Sequence, residues 1–280
     1  MAPERRQPGR RQRLHPGFYR HLLLVCLAVS LGFSLPGRMV RFSWVAFIAL
    51  TLLLAWRLGP QGLTAPRAGA GGSPPADVLF RLLGLATAIA QIVWLFSPSS
   101  LRLSGVPLLA LYTLFIAWSM VRLVGALARE RRIDGRLLSG ATAGYLLLGI
   151  SGGLCLTVLA TLQPGGFRDN LTGQILTMPA IGTPVEDTSS WDLDFGRLNY
   201  FAFVSLTTVG YGDITPMTPL TRMASLSLSV LGPLYIAVVL GMLISRLSGA
   251  QDPPAPPWDG APPPPDRSPA PAEPGREPDG

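Results

Sequence analysis

The chain of 280 residues has no lysine, and all 23 of its basic residues are arginines. A phosphate-cradling loop built on a Gly-Lys pair is therefore excluded. Histidine is limited to His15 and His21, both in or beside a basic N-terminal segment. No His/Asp/Glu/Ser constellation falls within the apolar runs, so an enzyme has little support and no catalytic residue is assigned. The two cysteines, Cys26 and Cys155, lie in separate apolar runs. They read as buried free thiols, and no disulfide framework is implied. Charge is scarce as well: 14% of residues are charged against 48% hydrophobic, with mean hydropathy +0.37. That is too apolar for an ordinary soluble domain.

What charge there is leans to one sign, with 23 basic residues against 16 acidic. The formal net charge is +7 and the pI about 10.2. On a soluble chain this balance would point to nucleic acid. Here the arginines cluster between apolar runs, as they do in cytoplasmic loops of membrane proteins. A lipid bilayer is the expected partner, and nucleic acid is not. Exclusive use of arginine, with abundant Ala, Gly and Pro, points to a GC-rich prokaryotic genome.

Taken in order, residues 1–20 form a basic tail held inside the cell. A four-helix membrane region follows over 21–137, with apolar runs at His21–Leu35, Val40–Trp56, Val78–Phe96 and Val106–Leu127. The first run is short and leaves open a retained helix or a signal-peptide core; the absence of a small-x-small cleavage site favours the helix. Arg57–Asp77 reads as a Gly/Pro/Ala loop, and Arg122 to Arg136 as a second basic inner segment. The remaining membrane unit, 138–248, has a fifth run at Leu138–Leu162 and a last one at Met223–Leu247. Most runs approach the ~20 residues that cross hydrocarbon as helix. Between the last two, Gln163–Arg197 reads as an acidic outer loop, and its Asn-Leu-Thr sequon at Asn170 is given no weight. Leu198–Thr207 is apolar but too short to cross, which suits a helix that dips into the membrane and returns. Residues 249–280 are Pro-rich, bury no core and read as a disordered inner tail.

The stretch Thr207-Thr208-Val209-Gly210-Tyr211-Gly212-Asp213 organises the rest. An ion leaving water must regain its lost oxygens from the protein, and consecutive backbone carbonyls aimed at one axis supply them. That aim needs φ/ψ values that glycine reaches freely, here Gly210 and Gly212. Val209 and Tyr211 would point away from the axis and wedge against surrounding protein. Thr208 adds a hydroxyl at the inner end.

Thr208-Val209-Gly210-Tyr211-Gly212 matches the selectivity filter of the potassium channel family without a mismatch, and the chain resembles that family over about Tyr200 to Arg246. The resemblance implies an all-α integral membrane protein. It would have six transmembrane helices, both termini inside, and a re-entrant pore helix and filter loop between helices five and six. It implies K+ bound at Thr208, Val209, Gly210 and Tyr211, with no cofactor beyond that permeant ion. Thr207, Asp213, Tyr200, Phe201 and Val204 would support the filter and outer mouth. Relatives commonly carry Trp where Tyr200 stands, bonded to the position of Asp213; the Tyr200 hydroxyl can also donate. Some relatives brace the filter with an acidic residue at the position of Val204, which cannot play that part.

Gly232 aligns with the hinge glycine of similar channels, and Pro233 removes a backbone donor beside it. A gating hinge and a packing accommodation at a helix crossing both remain open. One loop supplies one quarter of each carbonyl ring, and no second copy of the motif occurs, so a homotetramer is expected.

Voltage-gated relatives repeat basic residues along the fourth helix. Val106–Val121 contains none, so gating is expected to depend weakly on voltage. No soluble nucleotide- or calcium-binding domain follows Arg246. The two rival readings are a subunit of an active potassium transporter and a non-conducting receptor or assembly protein with a vestigial loop. The cell membrane of a prokaryote is the expected location.

Overall fold

The computed structural model describes residues 17–32, 40–58, 75–96, 106–129, 135–176 and 188–249. Most of the two tails assigned from sequence, and most of the Arg57–Asp77 loop, lie outside these residues; Phe18 to Arg20, read as tail, belong to the first helix.

The described chain is mostly helical. Its helices are α1 (Phe18–Gly32), α2 (Val40–Leu58), α3 (Pro75–Phe96), α4 (Val106–Arg129), α5 (Gly135–Leu162), α6 (Thr188–Leu206) and α7 (Pro219–Gly249). Four are long and apolar enough to cross a membrane: α3, residues 107–128 of α4, 137–162 of α5 and 219–239 of α7. The helix α1 and residues 43–58 of α2 are apolar but shorter.

The helix α5 is the centre of the packing and contacts α1, α4, α6 and α7. It can do so because glycine recurs along it. A Cβ at Gly149 would overlap the Phe203 ring of α6, one at Gly153 would overlap Asn199, and one at Gly144 would overlap the Tyr235 hydroxyl of α7. Small residues let helices approach closely where no hydrophobic drive separates lipid from protein.

Three sequence expectations need correction. The chain is not purely α: a three-stranded sheet of order β2-β1-β3 lies between α5 and α7, formed by β1 (Phe167–Asp169), β2 (Ile175–Leu176) and β3 (Ile214–Pro216). Both pairings are antiparallel, with Phe167 opposite Leu176 and Pro216. These strands are two or three residues long, too short for alternation to reveal.

The helix before the filter begins at Thr188, not Leu198. Its first half is polar in sequence, with Asp192, Asp194 and Arg197. Tertiary packing nevertheless engages this half, because Phe195 stacks on Trp44 of α2 at 6.1 Å and meets Phe47 at 5.9 Å.

The charges and thiols differ too. Arg122, read as the start of a basic inner segment, lies buried within α4, paired with the buried Asp77 of α3 and placed 4.4 Å over the Phe80 ring. Cys26 is buried as expected, whereas Cys155 is exposed on the surface of the single chain.

Candidate functional site

The segment expected to form the filter emerges from the C-terminal end of α6. A helix end leaves its last four carbonyls without intrahelical partners. Here each has one. The Phe203 carbonyl accepts from the Thr207 amide at 2.9 Å and its hydroxyl at 2.7 Å. The Val204 carbonyl accepts from the Val209 amide at 3.1 Å, and that of Ser205 from the Thr208 amide at 3.0 Å. The Leu206 carbonyl accepts from the Tyr145 hydroxyl of α5 at 3.4 Å.

The Val209-to-Val204 and Thr208-to-Ser205 bonds form a Schellman closure, with Thr208 at the left-handed position that glycine usually fills. Its φ is +58°, the one positive value at a non-glycine residue among the described residues. A left-handed L-residue costs roughly 1–2 kcal/mol. The surrounding bonds hold it there.

Left-handed φ then recurs at every second residue, with Gly210 at +60° and Gly212 at +77°. Nothing lies within 4 Å of a Cβ built on either glycine. Backbone conformation is therefore the requirement that favours glycine at both positions in the single chain.

Beyond the glycines the chain is anchored from two sides. The Tyr200 phenol faces the Asp213 carboxylate, whose interaction with the hydroxyl pushes the phenol up to about 12. The same carboxylate accepts from the Ile214 amide at 2.9 Å. From the other side, the Asn170 amide donates to the Asp213 carbonyl at 2.7 Å, and the Asn170 side chain donates to the Gly212 carbonyl at 2.8 Å.

Asn170 sits in the turn after β1, and that turn is shaped by its neighbour. The Asp169 carboxylate accepts the Leu171 amide at 2.8 Å and the Thr172 amide at 3.1 Å. These backbone donors, led by Thr172 and helped by the nearby Arg197 guanidinium, hold its carboxyl below the usual range. Arg197 also reaches Asp194 within α6, at 3.5 Å.

The remaining expected residues fall around this frame. Phe201 is buried and meets Phe167 of β1 edge-on at 5.7 Å, which joins α6 to the sheet. Val204 is buried. Val209 is 50% and Tyr211 71% exposed in the single chain.

Gly232 and Pro233 lie inside an unbroken α7. A Cβ at Gly232 would overlap the Leu206 carbonyl oxygen, so this glycine is where α7 meets the end of α6. Of the two readings left open by the sequence, the packing accommodation is the one with a contact behind it.

The start of α7 is tied to the end of α5. Thr218 caps the helix ahead of Pro219, with its hydroxyl accepting from the Thr221 amide at 3.3 Å and donating to Gln163 at 2.8 Å. Proline in the first turn is tolerated because its missing donor has no intrahelical partner there.

Sequence reasoning missed Asn170, Asp169 and Tyr145. The Asp-Asn-Leu-Thr-Gly run at 169–173 carries turn chemistry that would locate a tight turn. Nothing local signals that Asn170 reaches Gly212, 42 positions on. Tyr145 is one aromatic among the apolar residues of a span and carries no signal of its own.

One comparison with known proteins falls on this region. Residues 169–249 match the model of a family described as ion channel. A stretch of 53 residues is 38% identical to a two pore potassium channel c of Oryza sativa subsp. japonica. That stretch is 19% of this chain and 12% of the relative, so the chain spans a small part of that protein's length. No solved structure matches the chain. The family match thus falls on the segment that holds the filter-like loop, Asn170 and α7.

Proposed function

We propose that this protein is the subunit of a potassium-selective channel that conducts passively as a homotetramer in the cell membrane. The observation that carries the reading is the left-handed φ at Thr208, Gly210 and Gly212, every second residue of a Thr-Val-Gly-Tyr-Gly run. In an extended strand, neighbouring residues face opposite ways. Reversing the sense of the backbone at alternate residues brings successive carbonyls round to one side. Four such segments about an axis give stacked oxygen rings, between which a dehydrated K+ is held and passed on by knock-on.

In this reading the ions sit at Thr208, Val209, Gly210 and Tyr211, and the Thr208 hydroxyl completes the innermost site. Gly212 and Asp213 form the outer mouth, with Thr207, Tyr200, Phe201 and Val204 behind the filter. K+ is the cargo; the process uses no cofactor and catalyses no reaction. Four copies would also cover apolar surface that the single chain leaves open, including Val209, Tyr211 and the Met223, Leu226 and Val230 side chains of α7. Both termini lie in the cytoplasm, α6 re-enters without crossing, and α7 lines the path below the filter. Opening depends weakly on voltage, since residues 106–121 of α4 carry no basic residue.

The test is ion flux through purified protein in liposomes, under potassium gradients and then sodium gradients, at several voltages. Potassium-selective flux blocked by barium, with shallow voltage dependence, is expected. An intact tetramer with equal potassium and sodium flux would overturn the selectivity. Steep activation moving several elementary charges per tetramer would overturn the weak gating.

A further inference from the structure

The outer end of the filter-like segment is also held by a residue that lies outside the filter motif. Asn170 makes two bonds to it at once: its backbone N–H to the Asp213 carbonyl at 2.7 Å and its side-chain N–H to the Gly212 carbonyl at 2.8 Å. Its Oδ1 faces the Thr215 hydroxyl on β3 at 3.5 Å. We propose that Asn170 is a positioning residue for the filter, holding the Gly212 carbonyl toward the β1–β3 sheet so that the ion-coordinating rings end at Tyr211.

The turn itself does not need the Asn170 side chain. Asp169 closes that turn through the Leu171 and Thr172 amides, and Gly173 supplies its positive φ of +70°. The two neighbours thus divide the work: Asp169 shapes the turn, and Asn170 reaches across to the glycine. The sheet behind it is fixed in register, with Asp169 opposite Ile214. It is joined to α6 through Phe167 and Phe201. A glycine at φ +77° with open space around it has no side-chain contact to hold its peptide plane. A hydrogen bond to its carbonyl is the restraint that remains, beside the bonds on Asp213. Loss of that bond frees the plane to turn, and the ring below it loses a fixed neighbour.

The functional consequence rests on the channel reading, but the contact does not, and the experiment separates them. Gly212-Asp213 is the single Gly-Asp step in the sequence. Carbonyl-13C glycine with 15N aspartate therefore reports this one carbonyl by solid-state NMR of the full-length protein in liposomes. Asn170→Ala removes the side-chain donor and keeps the backbone N–H. Asn170→Asp keeps the size and, when ionised, sets a carboxylate oxygen against the carbonyl.

Both variants are expected to move the Gly212 carbonyl resonance. Both should also speed the decay of potassium flux after external potassium is lowered, by about two- to tenfold for Asn170→Ala, the worth of one hydrogen bond. The tetramer should stay intact. An unmoved resonance in both variants overturns the contact. A moved resonance with unchanged decay in both confines Asn170 to a structural bond and overturns its positioning role. If the unaltered protein carries no potassium, the channel reading fails and the role in conduction falls with it, while the resonance still decides the contact. Should Asn170→Ala not assemble, Asn170→Asp carries both readouts.

Discussion

The first four helices and the last three are held together by different means. In α1–α4 the packing is side chain on side chain: Phe80 meets Phe115 at 5.1 Å and Trp118 at 5.6 Å, and Phe47 meets Tyr112 at 5.4 Å. Polar contacts between these helices include side-chain pairs, Asp77 with Arg122 and Thr51 with Gln91 at 3.2 Å. In α5–α7 the decisive contacts are with the main chain. Carbonyls of residues 203–206 and 212–213 are each bound by a named donor, and glycines face neighbouring helices and the Leu206 carbonyl. Side-chain packing tolerates many sequences of similar volume. A prescribed backbone does not, because it fixes which residues must be glycine. The match to ion channels falls within the second region, at residues 169–249.

If the contrast is right, damage to each region should read out differently. The largest effect is expected from replacing Tyr211 and Gly212 together: potassium selectivity or conduction is abolished, measured as the ratio of potassium to sodium flux in liposomes. Selectivity that survives both changes would remove the filter assignment altogether.

Next is Arg122→Met in α4, which leaves Asp77 buried without its ion-pair partner. Breaking a buried pair costs about 3–5 kcal/mol. Thermal unfolding in detergent should drop accordingly, while the flux ratio of the surviving tetramers stays put. Adding Asp77→Leu should recover much of the loss. A changed flux ratio would dissolve the contrast between the regions.

Gly232→Ala should cost about 1–3 kcal/mol, the range for overpacking. Gly241→Ala is the control, because nothing lies within 4 Å of a Cβ there. Equal unfolding temperatures for the two variants would contradict the contact between α7 and the end of α6.

The smallest effect concerns Asp169. Its folded carboxyl titrates below the usual value because backbone amides hold the ionised form. A depressed acid contributes stability above its unfolded pKa and loses it as pH falls through the folded one. Thermal stability should therefore decline more steeply on acidification below about pH 4, near the ordinary carboxylate pKa, than it does in Asp169→Asn. Parallel curves for the two proteins would refute the assignment.

The same contrast explains what was legible in the sequence. The left-handed backbone at Gly210 and Gly212 was legible because glycine is the residue type that reaches positive φ freely. Long apolar runs located α3, α4, α5 and α7, since crossing hydrocarbon sets length and composition. The first half of α6 was hidden because a partner in α2 makes Phe195 an interior residue, and no local pattern records a partner. The Asp77–Arg122 pair was hidden for the same reason, as its members stand 45 positions apart. Asn170 shows the limit most plainly: its turn was readable from residue type, and its target was not.

The close meeting of Gly232 with Leu206 also bears on how this protein can change over time. A clash between two side chains can be relieved by trimming the other partner, so such positions drift as compensating pairs. The obstacle facing position 232 is a main-chain oxygen, which every residue type at 206 presents alike. No substitution of that side chain can rescue a larger residue at 232, and a genetic screen for revertants should return glycine itself or changes that move a whole helix.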